Sequence, residues 1–143
     1  MGNQTDRAVS VSAAEVRKLA LSFEGAVDES TSKGLVFSVG GRGFAWTYYG
    51  RVEPKKPRVA FPDVLAVWCL LESKDMLIEA APHVYFTDDH YRGYPAVMVR
   101  LKKIAKREFA ALLEKAWSLK AAEKPRKPKA KRVAKRKRVQ RTK

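Results

Sequence analysis

The chain has 143 residues, of which 45% are hydrophobic, and this composition is typical of one globular domain that folds without disulfides or a structural metal. Its 30 lysines and arginines outnumber 15 aspartates and glutamates, so the formal net charge of +15 favours a polyanionic partner. The single cysteine excludes an internal disulfide, and the absence of any run of about 18 apolar residues argues against membrane spanning, so we expect a cytoplasmic protein.

The first predicted element is a helix over residues 13–22, preceded by a flexible polar leader at residues 1–11. Ser12 and Glu15 have the spacing of a capping box, in which each side chain accepts a hydrogen bond from the other residue's main-chain N–H. Behind this cap, apolar side chains recur at helical spacing: Val16, Leu19, Ala20 and Phe23.

A β-hairpin is predicted next, from strands over residues 35–39 and 44–49 joined by a glycine-rich link. Glycine enters the positive-φ conformations of tight hairpin turns without steric cost. This interpretation places Arg42 at the tip of the hairpin. A nucleotide-binding loop is disfavoured because a strand, and not a helix, follows the glycines.

The segment over residues 54–58 carries two prolines and three cations, and it predicts an exposed basic loop. A third apolar run follows over residues 64–71, and its nearly continuous hydrophobicity predicts a strand covered on both faces or a short buried segment. We count it as the third strand. Beyond it we predict a helix over residues 72–81, which Pro82 terminates.

The remaining elements are two short strands, over residues 84–86 and 96–101, and an amphipathic helix over residues 108–119. The order is therefore helix, three strands, helix, two strands, helix. This order predicts an α+β fold in which helices pack on an antiparallel sheet.

Residues 120–143 form a predicted disordered basic tail, with 13 lysines and arginines against the single acid Glu123. A flexible polycation can follow a phosphate backbone and release its condensed counterions. A solubilising tail without a partner, membrane attachment and nuclear import are the alternatives. We assign nucleic-acid contacts in the tail to Lys127, Lys129, Lys131, Arg132, Lys135, Arg136, Lys137 and Arg138.

Five further cations fall on predicted turns or loops, where a side chain can reach a phosphate. These additional nucleic-acid contacts are Arg42, Lys55, Lys56, Arg58 and Arg92. Alternating aromatic residues in strands are more often core than base-stacking groups, so we interpret the aromatic residues of the hairpin and the turn as core.

His90 follows Asp88 and Asp89, a combination that could serve acid–base catalysis or metal binding. Zinc needs about four ligands, however, and His83 is the only other histidine. We therefore interpret this segment as a structural turn in which aspartate caps main-chain N–H groups. The sequence predicts no catalytic residue, no metal and no cofactor.

The sequence resembles the MmcQ/YjbR family of small bacterial proteins over residues 12–119. The most specific segment is residues 84–101, which contains His90-Tyr91-Arg92-Gly93-Tyr94-Pro95. Four further segments support it: residues 37–46, 52–59, 62–67 and 112–117. The resemblance implies an α+β fold like that of secretion chaperones, in a double-wing arrangement linked to DNA binding. The chain departs from the family pattern at Trp68 and Arg92, and its basic tail is not a family hallmark.

Charge and resemblance together predict a monomeric, non-enzymatic nucleic-acid-binding protein that prefers DNA to RNA. Its binding is expected to tolerate different sequences, because no residue set is suited to reading base edges. Membranes and small-molecule substrates are not expected partners. The alternative is a chaperone-like protein-interaction module whose basic tail only aids solubility.

Overall fold

In the computed structural model, which describes residues 10–123, three helices pack against a six-stranded antiparallel sheet, and the predicted α+β fold is confirmed. The strands within this range are β1 (Ala26–Asp28), β2 (Val36–Val39), β3 (Arg42–Gly50), β4 (Val59–Trp68), β5 (Tyr85–Phe86) and β6 (Ala96–Arg100). The helices are α1 (Ala13–Ala20), α2 (Leu71–Ala80) and α3 (Lys106–Ala121). The strand order is β1-β2-β3-β4-β6-β5, so β6 lies between β4 and β5.

Helix α1 begins at the predicted capping box. The Ser12 hydroxyl accepts from the Glu15 N–H at 3.1 Å, and the Glu15 carboxylate accepts from the Ser12 N–H at 2.8 Å. The main chain before this cap is also part of the fold, because Val11 N–H donates to Leu101 O at 2.7 Å and the Val11 side chain is buried. Ser10 and Val11 therefore do not belong to a flexible leader, and residues 1–9 lie outside the described part of the chain.

The β2–β3 hairpin turns at Gly40 and Gly41, whose φ angles are 61° and 80°. Both values lie in the left-handed region, which suits the twist of a two-residue hairpin turn and favours glycine. Arg42 is already the first residue of β3 and pairs with Val39. The expectation that Arg42 forms the hairpin tip is therefore wrong, because the two glycines alone complete the turn.

Strand β1 is absent from the predicted order, which had three strands before the second helix where the structure has four. It has only three residues, with Ala26 opposite Val39 and Asp28 opposite Phe37 of β2. A segment this short, with an acidic residue at its end, shows no alternating hydrophobic pattern. Its extended conformation depends on the hydrogen bonds that β2 provides.

Strand β4 begins earlier and ends earlier than predicted. The register against β3 shifts from Thr47 opposite Leu65 to Tyr48 opposite Phe61, which leaves residues 62–64 as a bulge. Pro62 has no N–H to donate to a ladder, and a bulge accommodates it inside a strand. At the other end the chain leaves the sheet after Trp68, so the apolar residues Leu70 and Leu71 cap and begin α2.

The sheet has two different faces. We call the covered face the side against α1 and α3, where Phe37, Phe44, Leu65, Val97 and Val99 pack with Val16, Phe109 and Leu113. We call the open face the other side, where Tyr48, Ala66, Ala96 and Met98 pack with Trp46, Phe61, Val64, Phe86 and Tyr91. None of the helices in the described part of the chain contributes a residue to this second cluster, and Tyr91 of the turn between β5 and β6 packs on it.

Helix α3 extends to Ala121, two residues into the segment predicted as a disordered tail. Lys120 is only 8% exposed, since its ammonium lies 3.3 Å from the centroid of the Trp68 ring. The eight predicted tail contacts, from Lys127 to Arg138, lie outside the described residues. None of the helices in residues 10–123 is long and apolar enough to cross a membrane.

Candidate functional site

A polar pocket of about 580 Å³ opens on the open face, between the loop at residues 51–58 and the turn that follows β5. Its walls combine hydrogen-bond donors and acceptors with an aromatic ring. The residues that line it are Tyr48, Arg51, Pro54, Arg58, Asp88, Asp89 and His90. Its lining is more charged than those of two other pockets of the described residues, which lie around Thr31 and Leu35, and it is our candidate site.

Tyr48 links the sheet to this pocket. Its hydroxyl donates to Asp88 Oδ2 at 2.5 Å, and burial, helped by that carboxylate, raises the pKa of Tyr48 to about 12. The ring lies across Gly50, where an added Cβ would be only 2.4 Å from the Tyr48 hydroxyl oxygen. Glycine at position 50 therefore permits the close approach that aims Tyr48 at Asp88.

The Asp88 carboxylate accepts hydrogen bonds from three separate parts of the fold. Besides the Tyr48 hydroxyl, its Oδ1 accepts from Tyr91 N–H at 2.9 Å, and Arg58 Nη2 lies 3.5 Å from Oδ2. Burial acts to raise the pKa of the Asp88 carboxyl, but these hydrogen bonds and the Arg58 charge outweigh it and lower that pKa below its ordinary value. Asp88 is therefore a carboxylate whose charge is largely satisfied within the fold.

The two arginines of the pocket are held by main-chain carbonyl groups. Arg58 Nη2 donates to Tyr49 O, and Arg51 Nη1 donates to Pro54 O at 3.1 Å. The Arg58 side chain is 26% exposed, whereas Arg51 is exposed. These contacts fix both guanidinium groups at the pocket wall.

The turn after β5 matches the predicted structural turn. Tyr91 N–H donates the capping hydrogen bond to Asp88 Oδ1, and the His90 ring packs edge-on against Tyr91 with centroids 4.9 Å apart. Arg92 pairs with Asp89 at 2.6 Å, and both side chains are largely exposed. Within residues 10–123 no group of three or more His, Cys, Asp and Glu side chains could hold a metal ion.

Lys74 of α2 holds the turn after β5 by hydrogen bonds to the main chain of that turn. Its side chain is only 2% exposed, and Nζ donates to Tyr91 O at 2.7 Å and to Tyr94 O at 2.8 Å. Burial lowers the pKa of the Lys74 ammonium, although the thiol of Cys69 and nearby carboxylates act in the opposite direction. The lysine thus joins α2 to the turn that forms one side of the pocket.

The structure separates the five predicted loop cations into two places. Arg58 and Arg92 are at or beside the pocket, and Lys55 and Lys56 are exposed on the same loop as Arg51 and Arg58. Arg42 lies at the other end of β3 and pairs with Glu123 at 2.9 Å. The predicted set therefore does not form one continuous patch on the described part of the chain.

Most of the aromatic residues considered for base stacking pack on one another. Trp46 Nε1 donates to the Tyr91 hydroxyl at 3.0 Å, and the Tyr91 ring contacts Tyr48 and Tyr94 at centroid distances of 6.1 and 5.7 Å. Tyr94 is the most exposed of this group at 43%. The cluster supports the interpretation of these rings as core, with one edge reaching the surface.

Two residues of the site escaped the sequence analysis. Arg51 directly follows a strand and precedes the loop that contains Pro54 and Pro57. This position predicts an exposed side chain, but it does not indicate a pocket. Lys74 stands between the helical residues Ser73 and Asp75 and resembles an ordinary surface lysine. Only the tertiary contacts with Tyr91 and Tyr94, which are distant in sequence, reveal its role.

Comparison with known proteins places the chain in a family. The sequence model of the YjbR family matches residues 21–119. Two uncharacterised proteins, one from Mycobacterium bovis and one from Mycobacterium tuberculosis, are each 48% identical over 48 residues, which is 34% of this chain. The match spans 37% of the length of each of these relatives.

The fold is also similar to the crystal structure of a Deinococcus radiodurans protein with a DUF419 domain. The TM-score is 0.59, and the match covers 86% of both chains at 20% sequence identity. At this identity the likeness shows the fold alone. The match of the family sequence model over 21–119, more than half of the chain, shows that this protein belongs to the YjbR family.

Proposed function

We propose that this protein binds nucleic acid, with a preference for DNA, by sequence-tolerant electrostatic contacts and without catalysing a reaction. The contacts come from the basic C-terminal segment and are supplemented by loop cations of the folded part. DNA is the partner that the resemblance to the MmcQ/YjbR family implies. We expect the protein to act as a cytoplasmic monomer.

The observation that carries this proposal is the uneven distribution of charge. Residues 124–143 contain 12 lysines and arginines and no acid, whereas residues 10–123 contain 17 lysines and arginines and 14 acids. Duplex DNA presents one negative charge per roughly 1.7 Å of its axis, so a cation-rich segment gains affinity by releasing condensed counterions. A segment of this kind needs no defined shape to bind.

Where this segment joins the fold, its neighbouring acidic residue is paired with two cations. The Glu123 carboxylate forms ion pairs with Arg42 at 2.9 Å and with Lys120 at 3.3 Å. It is the only acid in residues 120–143, and both of its cationic partners hold it against the fold. The pairing limits repulsion between Glu123 and phosphates approaching the basic segment.

The loop at residues 51–58 supports the proposal on the open face. Lys55 and Lys56 are exposed there, and among residues 10–123 the side chain of Arg92 is held by one exposed ion pair, with Asp89. Exposed ion pairs contribute about 0–1 kcal/mol, so a phosphate can compete for Arg92 at low cost. Such contacts would position the folded part against the phosphate backbone without reading bases.

The direct test compares two variants with equal loss of charge. The tail variant replaces Lys131, Arg132, Lys135, Arg136, Lys137 and Arg138 with glutamine. The body control replaces six exposed cations of the folded part in the same way: Lys18, Lys33, Lys102, Lys103, Arg107 and Lys115. Both proteins are titrated against one labelled DNA duplex at fixed low salt.

We expect the tail variant to lose at least about a hundredfold in affinity, because six phosphate contacts disappear. The body control should stay within about threefold of the unmodified protein. Equal losses in both variants would attribute binding to net charge alone and would refute the assignment to the tail. Tight binding by the tail variant would refute it as well.

A second candidate function is protein binding, in which the basic segment only aids solubility. Three apolar side chains at and near the start of α2 favour it, since Leu70, Leu71 and Met76 are 47%, 45% and 65% exposed. Leu70 and Leu71 are adjacent in the sequence, and exposed apolar residues that lie close together often mark an interaction surface. Under this alternative, the tail variant captures its protein partner as well as the unmodified chain does, and neither binds duplex DNA.

A further inference from the structure

The pocket on the open face holds two guanidinium groups whose hydrogen-bonding capacity is only partly used. Arginine has five N–H donors in a planar fork. Arg51 binds Pro54 O through Nη1, and Arg58 binds Tyr49 O and contacts Asp88 through Nη2. Within residues 10–123, the other nitrogen atoms of these two side chains make no hydrogen bond. Donors therefore remain for a ligand.

The acidic groups of the pocket do not cancel this capacity. Asp88 already accepts from Tyr48, Tyr91 N–H and Arg58, so its oxygens are occupied by the fold. Asp89 also lines the pocket, but its side chain is 92% exposed and is paired with Arg92 at 2.6 Å. A ligand entering the pocket therefore meets unused donors rather than unpaired carboxylates.

The main-chain anchors also reduce the cost of binding. A guanidinium that is already fixed by a carbonyl group loses little conformational freedom when it binds an anion. The planar fork of arginine matches the oxygens of phosphate and carboxylate groups, and charge-assisted bonds of this kind are about twice as strong as neutral ones. The His90 ring also lines the pocket, and an imidazole carries at least one N–H donor.

We propose that this pocket binds a phosphate group through Arg51 and Arg58, with the rest of a nucleotide beside the His90 ring. The volume of about 580 Å³ exceeds what a phosphate alone needs and lies in the range of about 300–1,000 Å³ that is usual for ligand sites. The phosphate belongs either to a free mononucleotide or to a nucleic-acid strand. The strand version rests on the nucleic-acid function proposed above, whereas the mononucleotide version does not.

The two histidines provide a local readout in the full-length chain. His90 lines the pocket, whereas His83 is exposed between α2 and β5 and is absent from the pocket lining. Their ring resonances can be followed by NMR at constant pH and ionic strength. The probes are inorganic phosphate, thymidine monophosphate, a thymidine dinucleotide with one internal phosphodiester, and thymidine, which carries no phosphate.

We expect a saturable shift of the His90 resonances with at least one phosphate-bearing probe, and no saturable shift with thymidine. Saturation by the mononucleotide alone identifies a free nucleotide as the ligand, and saturation by the dinucleotide identifies a strand. Arg51→Gln should raise the half-saturating concentration about tenfold, because charge-assisted hydrogen bonds are lost. The matched control Arg107→Gln, an exposed arginine of α3, should leave it unchanged.

The proposal is overturned if His90 and His83 respond alike, if thymidine acts as strongly as its phosphate, or if the two arginine variants behave identically. Arg51 is exposed and makes its single hydrogen bond within the described residues to Pro54 O, so its replacement should leave the fold intact. The readout is separate from duplex affinity. A protein that binds duplex DNA through its tail but shows no pocket response is therefore distinguishable from one that shows the pocket response but does not bind duplex DNA.

Discussion

The two faces of the sheet are built by different physical means. The covered face is apolar, and Phe44 and Val67 are completely buried under α1 and α3. The open face carries aromatic rings that are held by hydrogen bonds, such as those from Tyr48 to Asp88 and from Trp46 to Tyr91. The comparison indicates that the covered face provides most of the stability, whereas the open face positions polar groups around a pocket.

The largest expected effect is on the covered face. Phe44→Ala should lower the free energy of unfolding by about 3–5 kcal/mol, because the ring is fully buried and its loss leaves a cavity. Urea denaturation measures the change. Phe61→Ala on the open face is the matched control and should lose clearly less, since Phe61 is only partly buried. Equal losses would contradict the distinction between the faces.

A smaller effect is expected where α2 supports the turn of the open face. Lys74→Met keeps the length of the side chain but removes two hydrogen bonds to Tyr91 O and Tyr94 O, at an expected cost of about 1–2 kcal/mol. Hydrogen exchange should accelerate in residues 88–95 and remain unchanged in α1. A stabilised protein with an unchanged turn would mean that the buried charge costs more than its hydrogen bonds contribute.

Removing one hydroxyl group should affect the pocket with still less effect on stability. Tyr48→Phe deletes the bond to Asp88, at a cost of about 1 kcal/mol, and should raise the pKa of Asp88 toward its ordinary value. NMR titration of the carboxyl carbon measures this pKa. Tyr49→Phe is the control, because its hydroxyl donates to Lys33 O outside the pocket. An unchanged Asp88 pKa in Tyr48→Phe would contradict the assigned contact.

The smallest effect concerns the ion pair between the helices of the covered face. The hydrogen bond from Lys106, together with the cap at Ser12, lowers the pKa of Glu15 to about 2. A lowered folded pKa stabilises the protein above the unfolded value of 4.5, and this stabilisation is lost as the pH falls toward about 2. Glu15→Gln should therefore flatten the dependence of stability on pH between these values. An unchanged dependence would contradict the contact.

The sequence could predict the elements whose signals are local. The capping box at Ser12 and Glu15, the glycines of the hairpin and the apolar stripe of α3 each lie within one short continuous segment of the chain. Strand β1 could not be predicted, because its three residues become extended only by pairing with β2. The bulge at Pro62 likewise depends on the register with β3.

The candidate site was predictable only in part, for the same reason. The exposed loop and the turn at Asp88 follow from local composition, and they supplied Lys55, Lys56, Arg58 and Arg92. Two other contacts depend on the topology of the sheet. Arg58 contacts Asp88, which is 30 residues away in sequence, and Arg42 pairs with Glu123 far from both. The family resemblance identified the fold but not these contacts.

The central claim, that the basic C-terminal segment binds nucleic acid by electrostatics, is tested most directly by the salt dependence of duplex affinity. For the unmodified protein, log K should fall linearly with log salt, with a slope of about −0.9 for each phosphate engaged. The tail variant should have a slope shallower by up to about 5, and the body control should keep the original slope. Identical slopes for all three proteins, or no measurable binding by the unmodified chain at low salt, would contradict the account.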